Sequence, residues 1–96
     1  MFHRTLEMTL TREEFLRLLR LAVGDVRVDG DQLRGQVAFD DFRGPWIIGL
    51  TTLPARPLGP VPLPRLRLDI TLDDAGDVDG EAFLRRFRLA FLRGGG

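Results

Sequence analysis

The residues that could perform acid–base chemistry in this chain are one histidine and fourteen Asp and Glu residues. His3 and Glu7 share a face of an alternating segment, but four residues of strand separate them by about 13 Å, too far for direct contact. The pairs Asp40-Asp41 and Asp73-Asp74 fall in turn-like segments, where water keeps carboxylates ionised. Cys, Ser and Lys are absent, which removes the thiol, seryl and Schiff-base nucleophiles. The sequence therefore favours a binding protein over an enzyme, and it predicts no cofactor.

Two acidic, glycine-containing segments invite comparison with calcium loops. In residues 73–81, aligning Gly80 with the invariant glycine of an EF-hand loop puts Ala75 and Arg86 at positions that must supply oxygen ligands. The segment around Gly30 fails in the same way. A single histidine with scattered acids makes a poor metal site, and no glycine-rich phosphate loop follows a predicted strand. Both acidic segments are predicted to be turns.

All fourteen basic residues counted as Lys or Arg are arginines, and eight of them form two groups separated by the acidic residues 69–81. Either group could bind an anionic ligand or the phosphates of a nucleic acid. Nucleic acid is disfavoured because the net charge is zero and the predicted outer sheet face carries no aromatic side chains for base stacking. The first group is Arg43, Arg56, Arg65 and Arg67, and the second is Arg85, Arg86, Arg88 and Arg93.

The last predicted helix carries apolar side chains on two faces. Phe83, Phe87 and Phe91 belong to the core stripe, whereas Leu89 and Leu92 lie on the opposite side at 100° per residue. Apolar side chains rimmed by arginines are typical of protein contacts, so we expect an accessory module that binds another protein or forms a homodimer. The candidate interaction surface is Leu89, Leu92, Arg85, Arg88 and Arg93.

A cluster of aromatic residues surrounds the segment DDFRGP. Its members would either plug one end of the core, the interpretation we favour, or line a pocket for a small anionic or apolar ligand. The candidate pocket residues are Phe39, Phe42, Arg43 and Trp46.

Hydrophobic periodicity and turn residues predict the elements that must position these side chains. Thr11 and Glu14 match a capping box at the start of a helix that Gly24 ends. Strands are predicted over 2–10, 26–28, 33–39, 46–53 and 65–72, with a hairpin turn over 29–31 and loops over 40–45 and 73–80. A second helix is predicted from about Gly80 or Glu81 to Arg93, with Asp79 as the best candidate for its N-cap.

This order, β-α-β-β-β-β-α, predicts an α+β fold in which an antiparallel sheet carries two helices packed on one face. Residues 1–93 would form a single domain, and 94–96 a flexible glycine tail. The absence of Lys, Asn and Tyr favours a GC-rich bacterial genome. No signal-peptide pattern or apolar stretch of about 20 residues is present, so we expect a soluble cytoplasmic protein with no membrane span.

Five prolines lie in the proline-rich segment 54–64. Its PxxP spacing resembles that of peptides bound by proline-reading domains, but strands tie it at both ends. We therefore predict a stiff loop between two strands that either shields a sheet edge or walls a pocket with Trp46 and Phe42.

Overall fold

The computed structural model describes residues 1–39, 42–73 and 75–95, and for 37–39, 42, 58, 77 and 92–95 it describes the backbone alone. It confirms the α+β class and the predicted order of the elements. These are β1 (Phe2–Met8), α1 (Arg12–Val23), β2 (Arg27–Asp29), β3 (Gln32–Phe39), β4 (Phe42–Leu58), β5 (Val61–Leu72) and α2 (Asp77–Gly95).

The five strands form one sheet in the order β1-β5-β4-β3-β2, and every neighbouring pair is antiparallel. The register places one apolar set on the face that the helices cover. Alternate residues on the opposite face are mostly polar, as the period of two predicts. The buried strand residues are Phe2, Leu33, Trp46, Ile48, Leu50, Leu66, Leu68, Ile70 and Leu72.

Helix α1 begins and ends where the sequence predicts. The Thr11 side chain accepts from the Glu14 amide, and the Glu14 carboxylate accepts from the Thr11 amide, so both halves of the capping box are present. Gly24 ends the helix with a φ of 83° and donates its N–H to the Arg20 carbonyl. Arg12 ties the helix start to the β2–β3 turn through an ion pair with Asp31 at 2.5 Å.

Helix α2 is longer than predicted, since it begins at Asp77 and ends at Gly95. Its first turn includes Gly80, whose N–H donates to the Gly76 carbonyl at 2.9 Å. The ring of Phe2 occupies the space that a Cβ at Gly80 would need, so this position inside the helix requires a residue without a side chain. The flexibility predicted for 94–96 stays a prediction, and Gly96 lies outside the described residues.

Four phenylalanine rings form a row in the core between the helices and the sheet. Phe87 and Phe91 have ring centroids 4.4 Å apart, and Phe15 of α1 lies 5.3 Å from Phe91. Phe83 extends the row at 6.2 Å from Phe87. Aromatic pairs at these separations contribute beyond their buried area, so this row fixes α1 against α2.

The loop predicted over 40–45 is wrong for residues 42–45, which belong to β4 and pair with β3. Pro45 is tolerated because β4 pairs with β5 only from Ile47 onward, so Pro45 has a strand neighbour on one side alone. Asp40 and Asp41 lie outside the described residues.

The loop predicted for the proline-rich segment is also wrong. Residues 54–58 continue β4 and 61–64 begin β5, so only Gly59, with a φ of 60°, and Pro60 remain as the turn. A bulge between Leu53 and Arg56 re-registers the two strands. We call this hairpin, residues 54–64, the arm. Within the described part of the chain, no helix is long and apolar enough to cross a membrane.

Candidate functional site

An open cleft with a volume of about 930 Å³ lies where the link from α1 to β2 passes the edge of the sheet. Strand β2 has only three residues, and its pairing with β3 ends at Arg27 and Arg34. The next residues of β3 therefore have no strand beside them on that edge, which opens the cleft. The lining residues are Val23, Asp25, Val26, Arg27, Arg34, Gly35, Gln36, Pro45, Trp46 and Ile47.

Trp46 is the lining residue that is fully buried, with 0% of its surface exposed. It pairs across the sheet with Gly35, and a Cβ built at Gly35 would meet the indole Cζ2 at 2.5 Å and Nε1 at 2.8 Å. The nitrogen edge of the indole therefore lies over the Gly35 backbone. Among the described residues, Nε1 of Trp46 is the one buried side-chain polar atom without a hydrogen-bond partner.

Two arginines at the cleft face each other across β2 and β3. Arg27 pairs with Arg34 in register, and no ion pair joins either guanidinium to a carboxylate of the described residues. Arg34 donates instead to the neutral amide oxygen of Gln32, at 2.6 and 3.2 Å. Like charges directly opposed on neighbouring strands destabilise a sheet, so this pair places positive charge where an anion would relieve the repulsion.

Neither arginine of this pair is among the predicted site residues, although the sequence contains the signal that places them together. A two-residue turn at Gly30 and Asp31 fixes the hairpin register and sets Arg27 opposite Arg34. Of the predicted pocket residues, Trp46 lines the cleft, whereas the exposed Arg43 is not among the lining residues. The side chains of Phe39 and Phe42 lie outside the description, although their backbones pair with each other.

The first arginine group is divided by acidic partners. Glu7 accepts from Arg65 at 2.6 and 2.8 Å, and Arg65 also lies 3.4 Å from the Pro54 carbonyl. Arg67 contacts Asp69 at 3.5 Å. Arg43 and Arg56 are exposed, and neither pairs with a carboxylate of the described residues. Two of the four arginines are therefore paired with carboxylates, and the group does not form a patch of four unpaired positive charges.

The predicted interaction surface on α2 is partly described. Leu89 is 51% exposed, and Arg85 and Arg88 are exposed beside it. The side chains of Leu92 and Arg93 lie outside the description. On α1 the exposed Leu21 is comparable, with 69% of its surface accessible.

The outer face of the sheet carries a small polar cluster around Asp69. Its Oδ1 accepts from the Thr5 hydroxyl at 2.9 Å and lies 3.9 Å from Nε2 of His3. The sequence places His3 and Asp69 on this face, and the register confirms that placement. No group of three or more metal-ligating side chains occurs in the part of the chain that the structure describes.

The arm is the second feature with binding geometry. Pairing of β1 with β5 ends at Leu66, and pairing of β3 with β4 ends at Gly49. The arm therefore extends beyond both flanking strands. Val61 is 56% exposed near its tip, Pro57 and Pro62 are exposed, and Leu63 is half-buried. The arm contributes no residue to the described lining of the cleft. It therefore does not form the pocket wall beside Trp46, which was one of its two predicted roles.

No protein-family model, curated protein or solved structure matches this chain.

Proposed function

We propose that this chain is a small binding module that acts through protein contacts, and that the arm carries the contact to a second copy of the chain. The observation that supports this is a two-stranded arm that extends past both neighbouring strands and exposes apolar side chains. A two-stranded hairpin is at best marginally stable in water, so packing against a partner would stabilise it. The bacterial origin and cytoplasmic location expected from the sequence remain part of this proposal.

The edges of the arm are poorly suited to strand addition. Pro57 lies directly opposite Pro62, and neither has an N–H, so the two form a pair without mutual hydrogen bonds. In such a pair the backbone N–H groups of both residues point away from the other strand, towards the outer edges of the hairpin. Because both residues are prolines, these outward donors are absent. Pro64 lies two residues further along β5, so its backbone nitrogen also points towards the outer edge, and it too has no N–H. A partner would therefore contact the faces of the arm rather than its edges.

The two faces of the arm differ in chemistry. Alternation puts Pro57, Pro62 and Pro64 on one face, and Arg56, Val61 and Leu63 on the other. The prolines restrict the backbone, so ordering the arm against a partner costs less conformational entropy than ordering a flexible loop. We assign the contact to the face with Val61 and Leu63.

A second copy is the partner that the charge balance favours. The chain carries fourteen basic and fourteen acidic residues, so its formal net charge is zero and copies do not repel each other at long range. A two-fold contact would bring the same apolar face of each arm together and bury Val61 of both copies.

Light scattering coupled to gel filtration over a range of concentrations tests this proposal. We expect the wild-type mass to rise from one chain towards two, and Val61→Arg to keep the mass of one chain. Leu21→Arg is the matched control, because Leu21 is even more exposed but lies on α1. Circular dichroism checks that each variant is folded.

Leu89→Arg shows whether the dimer contact lies on the arm or on the predicted interaction surface of α2. A wild-type protein that remains a single chain at every concentration would show that self-association is wrong. If Val61→Arg behaves like the wild type while Leu89→Arg abolishes the dimer, then the contact lies on α2 and our assignment to the arm is wrong.

A further inference from the structure

We propose that the cleft beside β2 binds a small organic anion with an apolar body and a carboxylate or phosphate head. The arm takes no part in this site, so the inference does not depend on self-association. Three observations support it: a buried donor without an acceptor, apolar walls of suitable size, and two opposed arginines.

The donor is the indole N–H of Trp46. Burying a donor without an acceptor costs free energy, and most buried polar groups in folded proteins have a partner. Trp46 lines the cleft, and its Nε1 edge lies over Gly35, which also lines the cleft. A ligand oxygen that reached this edge from the open side of the cleft would supply the acceptor.

The walls determine the body of the ligand. Val23 and Val26 contribute apolar surface beside the Trp46 floor. Pro45 and Ile47 contribute it on the other face of the sheet, which also carries Arg34. The volume of about 930 Å³ lies within the range of about 300–1,000 Å³ that is typical of small-molecule sites. An aliphatic chain or an aromatic ring fits such a lining better than a sugar or a free inorganic ion does.

The two arginines determine the head group. A guanidinium fork matches the two oxygens of a carboxylate or a phosphate, and Arg27 and Arg34 present two forks from directly opposed positions. Asp25 is the one acidic residue in the lining, so the lining keeps a surplus of positive charge. An anion would offset the repulsion between the arginines, whereas a neutral ligand would leave it unchanged.

The chain offers a direct reporter of this site. It contains one tryptophan and no tyrosine, so its intrinsic fluorescence and its single indole N–H resonance both arise from Trp46. We would titrate the full chain with decanoate, decyl phosphate and decanol, which share an apolar body and differ in the head. We expect each anion to shift the indole resonance and the fluorescence at a concentration at least about tenfold lower than the decanol concentration that gives the same shift. Charge-assisted hydrogen bonds to the arginines would account for this difference. The tighter of the two anions then identifies the head group.

Paired substitutions test the role of the arginines. Arg27→Gln with Arg34→Gln should weaken decanoate binding about tenfold or more, because both forks are lost. The matched control is Arg17→Gln with Arg20→Gln, which removes the same charge from exposed positions on α1. We expect the control to bind like the wild type.

Three results would overturn the proposal. These are an indole resonance that no probe moves, decanol that binds as tightly as decanoate, and equal affinity in the two double variants. The unliganded indole spectrum of each variant shows whether Trp46 keeps its environment, so a folding defect is distinguished from a lost anion site.

Discussion

Replacing Gly35 by alanine tests the close approach between the sheet and Trp46. The added Cβ would lie 2.5 Å from Cζ2 and 2.7 Å from Cε2 of the indole, well inside van der Waals contact. The indole has little room to retreat because Trp46 is fully buried in the core. Forcing extra volume into a packed core costs about 1–3 kcal/mol, so we expect Gly35→Ala to lower the free energy of unfolding by that amount.

Gly49→Ala is the matched control. Gly49 is also a strand glycine, but its Cβ would meet only Cβ of Asp69, at an ordinary 3.9 Å. The substitution removes conformational freedom from the unfolded chain and should stabilise the protein by about 0.4–1 kcal/mol. The two variants should therefore differ by about 1.4–4 kcal/mol, which is the sum of the overpacking cost and the entropic gain.

Thermal denaturation followed by circular dichroism measures this difference. For a domain of this size, each kcal/mol corresponds to a change of about 4–8 °C in Tm. Trp46 fluorescence gives a second readout, because an indole displaced by the new methyl group should change its emission. If Gly35→Ala and Gly49→Ala are equally stable and their emission spectra coincide, then the indole does not lie on Gly35 and the floor of the cleft is wrongly placed.

Gly80→Ala and Thr11→Ala test the first turns of the two helices, and Gly76→Ala is the control for Gly80→Ala. Gly80→Ala places a Cβ against the ring of Phe2 and should lower stability by about 1–3 kcal/mol despite the better helix propensity of alanine. Gly76→Ala, with no atom within 4 Å of its Cβ, should leave stability unchanged or slightly higher, and equal urea midpoints for the two would contradict the packing of α2 on β1. Thr11→Ala removes the side chain that accepts from the Glu14 amide at 3.2 Å and should cost about 1 kcal/mol in urea denaturation; an unchanged midpoint would show that the cap does not stabilise α1.

Local signals in the sequence were sufficient for much of the fold. The capping box at Thr11 and Glu14, the stop at Gly24 and the alternation on β5 each depend on neighbouring residues, and each is confirmed. The hairpin turn near Gly30 also depends on local backbone preferences, and the φ of 62° at Gly30 agrees with it.

The errors arise where distant residues decide the conformation. Prolines normally interrupt strands, so the segments 42–45 and 54–64 were predicted to be loops. Both are strands, because Pro45, Pro57 and Pro62 lie where no hydrogen bond to a neighbouring strand requires their missing N–H. Likewise, a glycine at position 80 predicts a helix boundary, but Gly80 lies inside α2. A glycine is needed there because the ring of Phe2, which is distant in sequence, packs against it.

The cleft could be predicted only in part. The aromatic cluster pointed to Trp46, which lines the cleft. The opposed arginines follow from the hairpin register once the turn is placed at Gly30, but the cleft also depends on how early β2 ends. Residue types alone do not specify where β2 ends.

Amide hydrogen exchange in the arm at two protein concentrations is the most direct test of the proposed contact. The observable amides are those of Arg56, Leu58, Val61 and Leu63, which belong to paired residues of the hairpin. An isolated ribbon opens often, and a second copy packed on its face would suppress this opening. We predict that these amides exchange more slowly at high concentration while Val28 of β2 is unaffected. Exchange in the arm that does not depend on concentration would contradict the claim that the arm binds a second copy of the chain.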